Sequence, residues 1–295
     1  MRLRQTLRWL VYPALMAFAL WLLGALLANG ASLAWAPYAA AAVTAAGILF
    51  AERYLPYRPH WQPQFADLVD DSLFLVLVQI AFPPALAWLT VWSAQSLVAD
   101  RSIALQLWPQ SWPILAQLAL KIVLGDFLRY WLHRAAHTWM PHWRLHADHH
   151  QPEKLYTTNV FRFHPFEKAL QFVCDTVPFI LVGVGPMVLG YYFVFYAVSG
   201  LFQHSNCDVR LGWLNYVVSG PEVHRWHHSR RVEESNHNYA HSFVVWDLLF
   251  GTYFRPRNAE VSELGLTARD YPHRFVELLA APFSSRALEA NDGAG

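Results

Sequence analysis

The sequence predicts an all-α membrane protein with about four transmembrane helices, a helical hairpin and a helical cap on the cytoplasmic side. Hydrophobic residues make up 55% of the 295 residues and charged residues only 15%, a composition that is unusual for a soluble domain. Four segments are apolar and long enough to cross a hydrocarbon core of roughly 30 Å as helices. They cover residues 9–28, 32–51, 72–99 and 111–132.

Each predicted span has a feature of its own. The first continues the basic N-terminal sequence MRLRQTLRWL without a clear cleavage site, so we interpret it as a retained membrane anchor. The second is rich in alanine, which favours close helix contact in lipid. The third carries Pro83 and Pro84, which are predicted to kink it. The fourth contains Asp126 and Arg129, and ionisable residues at membrane depth indicate a functional site.

The distribution of arginines predicts the orientation, because short cytoplasmic loops collect Lys and Arg. The loops on one side of the predicted spans hold only Arg101. The other side holds five arginines, namely Arg2, Arg4, Arg8, Arg53 and Arg58. The N-terminus, the 52–71 loop and the residues after 132 are therefore predicted to be cytoplasmic.

A second apolar region, residues 172–202, is predicted to form a hairpin. As a continuous helix its 31 residues would rise roughly 46 Å, which is too short for two crossings of about 30 Å each. The sequence GVGP at 183–186 supplies a break near its middle. We expect a shallow or re-entrant hairpin, or two spans that extend into the flanking polar residues. The tail after about Phe283 is expected to be disordered.

Charge and cysteine content exclude several classes of protein. The formal net charge is +1, and no basic stripe interleaved with aromatic residues is present, so nucleic acid is not an expected partner. The two cysteines, Cys174 and Cys207, show no C-x-x-C spacing. A disulfide framework and a thiolate zinc site are therefore not indicated, and His, Asp and Glu remain as potential metal ligands.

Histidines recur at helical spacings in three places. Residues that lie three or four positions apart share one face of a helix. His204, in the sequence FQHSN at the end of the predicted hairpin, is placed to join them. The three sets are His133 and His137; His146, His149 and His150; and His224, His227 and His228. The repeated triplet suggests two halves of one site.

These imidazoles indicate metal binding. Protonated imidazoles this close would repel one another, and buried neutral ones would need hydrogen-bond partners for their ring nitrogens. Binding to divalent metal ions resolves both problems. Their number exceeds what one ion can coordinate, so two ions are implied. Imidazole suits Zn, Cu, Fe and Ni alike. No H-E-x-x-H sequence is present, which counts against a zinc protease.

The other candidates are less specific. His164, in the sequence RFHPFE, is a possible additional ligand. Asp126 is predicted either to orient an imidazole of the site from outside the ligand set or to form an ion pair with Arg129. The isolated histidines fall into two sets: His237 and His241 are expected at the rim of the site, and His60, His142 and His273 are expected to be solvated or interfacial.

Together these motifs resemble the fatty acid hydroxylase/sterol desaturase superfamily of integral-membrane, histidine-rich enzymes. The resemblance covers roughly residues 115–256. It rests on H-x-x-x-H at 133–137, H-x-x-H-H at 146–150, RFHPFE at 162–167, HSN at 204–206, H-x-x-H-H-S at 224–229 and ESNHNYAHSFVVWDLLFGTYF at 234–254. Many relatives have Gly where this chain has Ala240, which affects local loop geometry.

The resemblance implies a non-haem di-iron centre on the cytoplasmic side. Such a centre uses O2 and two electrons to attack a C–H bond of a lipid. The implied iron ligands are His133, His137, His146, His149, His150, His204, His224, His227 and His228, with Asp126, Asn238 and Asp247 as possible residues around them. The chain lacks the HPGG sequence of a fused cytochrome b5 domain, so a separate reductase, ferredoxin or cytochrome b5-like donor is implied.

Three functions are consistent with these features. A lipid hydroxylase is favoured; a desaturase with the same metal centre is not separated from it by sequence. A metal-binding membrane transporter is the alternative of another class, although transport sites usually lie near the bilayer midplane. The substrate is open among fatty acyl lipids, aminolipids, carotenoids and sterols. The expected domains are N-terminal transmembrane helices at 1–110, a catalytic domain at 111–256 and a tail at 257–295.

Overall fold

Regular secondary structure is helical throughout the computed structural model, which describes residues 2–86, 107–257 and 259–284. The described residues form three isolated bridges but no β-strand, so the all-α prediction is confirmed for them. The helices are α1 (Arg2–Ala28), α2 (Ala36–Tyr54), α3 (Phe65–Leu73), α4 (Ile114–Thr138), α5 (Met140–His150), α6 (Pro165–Leu181), α7 (Pro186–His204), α8 (Pro221–His227), α9 (Val232–Ser235), α10 (Val245–Phe250) and α11 (Phe275–Ala280).

The largest apolar core lies between α1, α2 and α7. Leu23 of α1, Ile48 of α2 and Phe202 of α7 are all fully buried there. Small residues let these helices approach closely, because a Cβ atom at Gly24 would lie 2.8 Å from the Tyr191 hydroxyl oxygen. The expectation that the alanines of the second segment serve helix contact holds for one face of α2.

Two described helices are long and apolar enough to cross a membrane. They are Leu3–Ala28 and Pro186–His204, with 22% and 61% of their most apolar windows buried inside the protein. The first contains the first predicted span. The second lies in the predicted hairpin, where it packs in the core as well. Helix α2 carries Glu52 and Arg53 near its end, and α4 carries Lys121, Asp126 and Arg129. These two helices are therefore less apolar than expected for membrane spans.

The third predicted span changes helix type before its prolines. After α3 the chain continues as a π-helix, Phe74–Ala81, which precedes Pro83 and Pro84. A proline has no backbone N–H and removes the intrahelical bond at its position, and wider π-turns are one way in which a helix accommodates such a disturbance. The rest of this span, together with Arg101 and the tail after Ser284, lies outside the described residues.

The predicted break in the second apolar region is confirmed. α6 ends at Leu181 and α7 begins at Pro186. Gly183 adopts φ of 89°, a left-handed conformation that glycine tolerates without steric cost. The hairpin matters for the site because it places Glu167 at the start of α6 and His204 at the end of α7 on the same side of the protein.

Candidate metal centre

Nine buried or half-buried histidines form two adjacent groups. Within each group, one ring nitrogen from every histidine lies within 4.8 Å of the others. The five-histidine group contains His133, His137, His146, His150 and His227, and the four-histidine group contains His149, His204, His224 and His228. These are the nine residues singled out from the sequence as ligands.

Each histidine triplet is divided between the two groups. On α5, His146 and His150 face the five-histidine group, whereas His149 faces the other. This differs from the expectation that each triplet forms one half of a single site. A helix advances 100° per residue, so residues three and four apart diverge slightly on the same face, and that divergence lets one short helix serve two neighbouring sites.

The two groups are in direct contact. The rings of His150 and His228, one from each group, stack with centroids 4.3 Å apart and an interplanar angle of 18°. Any ions held by the two groups would therefore be close neighbours rather than independent sites.

Hydrogen bonds fix which nitrogen of several imidazoles faces the centre. His133 Nδ1 donates to the carbonyl oxygen of Tyr239 at 2.8 Å, and His146 Nδ1 donates to Glu167 Oε1 at 2.8 Å. A backbone carbonyl can only accept, so the Nδ1 of a neutral His133 carries the proton and its Nε2 carries a lone pair. His133 Nε2 nevertheless lies 3.1 Å from His146 Nε2.

Converging lone pairs are what a metal ion requires. Two imidazoles bound in cis positions at about 2.1 Å from an ion place their nitrogens about 3.0 Å apart. The pairs His146–His150, His149–His204 and His224–His228 have Nε2–Nε2 distances of 3.1, 3.2 and 3.1 Å. The Nε2 atoms of His137 and His227 are buried without a hydrogen-bond partner. The donor set therefore fits two metal ions.

Burial keeps the imidazoles neutral. It lowers the pKa of His149 to about 3 and that of His227 to about 4, because a charged ring would lose its hydration inside the protein. Neighbouring histidines lower the pKa of His150 and His228 further in the same direction. At neutral pH each ring therefore offers a lone pair, which is the form that binds metal.

Oxygen acceptors that belong to neither histidine group orient several of the rings. Three of these acceptors, from Glu167, Asn159 and Asn236, were not predicted from the sequence. The carboxylate of Glu167 accepts from His146, and the amide oxygens of Asn159 and Asn236 lie 2.8 and 3.2 Å from Nδ1 of His204 and His137. Glu167 lies in the RFHPFE motif, three residues after His164. A carboxylate one helical turn after a motif histidine is the sequence feature that could have indicated this role.

We expect Glu167→Gln to weaken metal binding by about 10–100-fold, because an amide is a poorer acceptor and no longer fixes the His146 ring. The measurement is competition for the metal with a chelator of known affinity. Glu153→Gln, which changes an exposed carboxylate, serves as the matched control. Equal metal affinity for Glu167→Gln and the parent chain would contradict this role.

The other predicted polar residues support loops near the histidines. Asp126 accepts from the backbone amides of Ser242 and Phe243, and it makes neither of the contacts expected for it, to an imidazole or to Arg129. Asp247 accepts from the amides of Tyr239 and Ala240 at 2.8 and 2.9 Å. Asp247 therefore holds the loop whose carbonyl orients His133.

Asn238 has φ of 59° and bonds through its side chain to the backbone of Val223 and Phe254. It ties the loop after α9 to the start of the site helix α8. His164 caps α6, where its Nδ1 accepts from the amide of Phe166 at 3.2 Å. It is a member of neither histidine group.

The isolated histidines also lie outside both groups. His60 and His273 are exposed, as expected. His142 is only 3% exposed, so the expectation of a solvated side chain is wrong for it; helix α5 turns this residue toward the interior. His237 contributes its carbonyl oxygen to His227 Nδ1, and the ring of His241 stacks on Tyr196.

A large apolar cavity opens onto the histidines. Its volume is about 890 Å³, within the range of pockets that bury a ligand. Five histidines from both groups line it: His133, His146, His149, His204 and His224. The opposite wall comes from the alanine face of α2, namely Ala41, Ala42, Ala45 and Ala46, whose small side chains leave the space open.

The cavity reaches the protein surface between α2 and the π-helix. Leu49 and Ile80 line it and are 38% and 44% exposed. The helix α10, by contrast, packs on α4, where Trp246 Nε1 donates to the carbonyl of Val123 at 2.9 Å. No residue of the 242–254 segment lines the described cavity.

These features define a class of protein: a helical chain in which histidines from four helices form two adjoining metal-binding groups at the end of an apolar cavity. The fatty acid hydroxylase family model matches residues 118–252. The ornithine lipid hydroxylase OlsE of Rhizobium tropici is 35% identical over 82% of this chain and 74% of its own length. The chain belongs to the fatty acid hydroxylase superfamily and is an oxidoreductase.

Other relatives match a smaller part of the chain. The alkylglycerol monooxygenase of Homo sapiens is 28% identical over 43% of this chain and 28% of its own length. The very-long-chain aldehyde decarbonylase GL1-11 of Oryza sativa subsp. indica is 30% identical over 51% of this chain and 57% of its own length. No solved structure gives a significant match to the chain.

Proposed function

We propose that the chain is a membrane-bound di-iron oxygenase that hydroxylates a C–H bond of a lipid. The observation that carries the proposal is the cavity, which is mainly apolar and is lined by five of the nine histidines. An acyl chain that fills this cavity would place a carbon beside both histidine groups. The similarity to an ornithine lipid hydroxylase over most of both chains supports a lipid, and an aminolipid in particular, as the substrate.

The residues of the chain would hold and orient the metal and the substrate. The five-histidine group would bind one iron ion and the four-histidine group the other. Bound iron supplies the oxidising chemistry: O2, two electrons, two protons and the lipid give the hydroxylated lipid and water. Glu167 and the carbonyl of Tyr239 hold the Nδ1 atoms of His146 and His133, which would leave their Nε2 lone pairs free to bind the iron.

The apolar wall keeps bulk water from the reacting carbon. Water exclusion protects a reactive oxidant from wasteful side reactions. Phe163 stacks on His149 with ring centroids 4.1 Å apart, and it lines the cavity beside the histidines. It shields the four-histidine group on its substrate side.

The membrane placement brings the lipid to the cavity. Large apolar residues are exposed on the helices around its opening, which is typical of a surface that contacts lipid. Examples are Phe50, Val76, Leu77, Phe65 and Val173, which are 73%, 53%, 48%, 83% and 50% exposed. We infer a multi-pass protein that takes lipid laterally from the bilayer, with the histidines on the cytoplasmic side.

The electrons would come from a separate donor, a reductase, a ferredoxin or a cytochrome b5-like protein. The donor would deliver electrons to the two histidine groups from the cytoplasmic side.

The test is comparative lipid mass spectrometry of cells that express the parent chain or His150→Ala, grown with iron and air. A lipid that is one oxygen atom heavier, present only with the parent chain, is the expected result. A lipid lighter by two hydrogen atoms would make the enzyme a desaturase. Unchanged lipids, combined with metal movement into vesicles that contain the protein, would replace the proposal by metal transport.

A further inference from the structure

Two cations interrupt the apolar wall of the cavity close to the histidines. Arg129 lies four residues before His133 on α4, a rise of about 6 Å along the helix. Lys168 follows Glu167, the hydrogen-bond partner of His146. Both cations line the cavity, and we call them the cationic pair.

The cationic pair converges on one aromatic ring. Arg129 Cζ lies 5.7 Å and Lys168 Nζ 5.5 Å from the centroid of the Tyr196 ring, and Tyr196 also lines the cavity. The Tyr196 ring therefore brings positive charges from two different helices to the same part of the wall. Like charges in an apolar interior are costly unless an anion accompanies them.

The protein satisfies these cations only in part. Arg129 is 7% exposed; its Nη2 donates to the Tyr196 hydroxyl at 3.2 Å. Its Nη1 has no hydrogen-bond acceptor and lies 3.9 Å from Asp175 Oδ2, which is too far for a hydrogen bond. Lys168 has no carboxylate within 4.0 Å among the residues that the structure describes.

Two carboxylates in this part of the wall, Glu167 and Asp175, offset the charges of the cationic pair but give neither cation a hydrogen bond. Glu167 Oε1 accepts from His146 and from Gln171. Asp175 Oδ1 accepts from the Tyr192 hydroxyl at 2.9 Å. A buried guanidinium nitrogen without an acceptor carries the full cost of its lost hydration, and a planar guanidinium matches the paired oxygens of a carboxylate or a phosphate.

We propose that the cationic pair binds an acidic oxygen group, a carboxylate or a phosphate, on the lipid that enters the cavity. The inference rests on the proposed function only in taking that lipid as the substrate. An acidic group bound by the cationic pair would lie about one helical turn from the histidines. Lipids with such a group are therefore favoured as substrates over neutral sterols and carotenoids.

Binding is measured on the purified full-length chain in a non-ionic detergent, as the stabilisation against heat at increasing lipid concentration. Two matched pairs of probes isolate the charge: oleic acid against methyl oleate, and dioleoyl phosphatidic acid against dioleoylglycerol. For at least one pair we expect the acidic lipid to bind tenfold or more tightly, about the effect of one charged hydrogen bond. The pair that discriminates identifies the group as carboxylate or phosphate.

The variant Arg129→Gln/Lys168→Gln is expected to lose this preference while still binding the neutral lipids. Arg134→Gln is the matched control, because Arg134 lies on the same helix but does not line the cavity. If the double variant does not fold, Lys168→Gln alone changes a half-buried side chain and should reduce the preference in part.

Two results would overturn the inference: equal affinity for the acidic and neutral lipids in the parent chain, or a preference that persists without the cationic pair. Because binding is measured without turnover, the outcome is separate from that of the proposed function. A chain that prefers acidic lipids but oxidises none would retain the subsite and lose the oxygenase.

Discussion

Replacing His150 by alanine is expected to abolish turnover and to lower the metal bound per chain. His150 is 3% exposed, its Nε2 lies 3.1 Å from His146 Nε2, and its ring stacks on His228 of the other group. Alanine would remove a ligand from the five-histidine group and a stacking contact from the four-histidine group. Loss of an outer partner alone typically costs 10–100-fold, so we expect a fall in turnover of at least about 100-fold. Metal analysis and lipid turnover measure both effects.

The control for this variant is His142→Gln. His142 lies on the same helix α5 and is buried, but it belongs to neither group. It should leave the metal content unchanged. Full metal content and turnover in His150→Ala would remove His150 from the ligand set and contradict the five-histidine group.

The second large effect is expected at the alanine face of α2. Ala45→Phe places a ring in the cavity where the alanine methyl group leaves space. We expect turnover of a long-chain lipid to fall by at least about tenfold, since overpacking and blocked access both oppose binding. The bound metal should stay unchanged, because α2 contributes no histidine to either group. Lipid turnover and metal analysis on the same preparation separate the two.

Val43→Phe is the matched control for the cavity. Val43 lies two residues earlier on the same helix, is 52% exposed and does not line the cavity. Its turnover should equal that of the parent chain. If Ala45→Phe also turns over lipid at the parent rate, the substrate does not pass along α2, and the cavity is not its path.

The histidine groups could be predicted because their spacing carries the geometry. A spacing of three or four residues places side chains on one face whatever the tertiary structure, and eight such histidines, with His204 beside them, have few alternatives to metal binding. The division of each triplet between two groups could not be predicted, because it depends on how α5 and α8 face each other. The role of Asp126 was missed for the same reason: the backbone amides that donate to it lie in the loop at Ser242 and Phe243, more than a hundred residues away.

The membrane helices show the limit of composition. The hairpin break was visible as GVGP, since the local backbone demands a glycine at Gly183. Apolar composition alone, however, does not separate a helix that faces lipid from one that faces protein. α7 passes the length and hydropathy test, yet 61% of its most apolar window is buried in the core, because it also carries His204 into the site.

We infer that the nine histidines form two neighbouring metal sites. Iron per chain, measured by mass spectrometry of the purified protein after reconstitution, tests it most directly, together with His137→Ala and His224→Ala as variants of the five- and four-histidine groups. We expect two iron ions in the parent chain and fewer in each variant. A parent chain that binds a single ion, or none, with the protein folded, would contradict it.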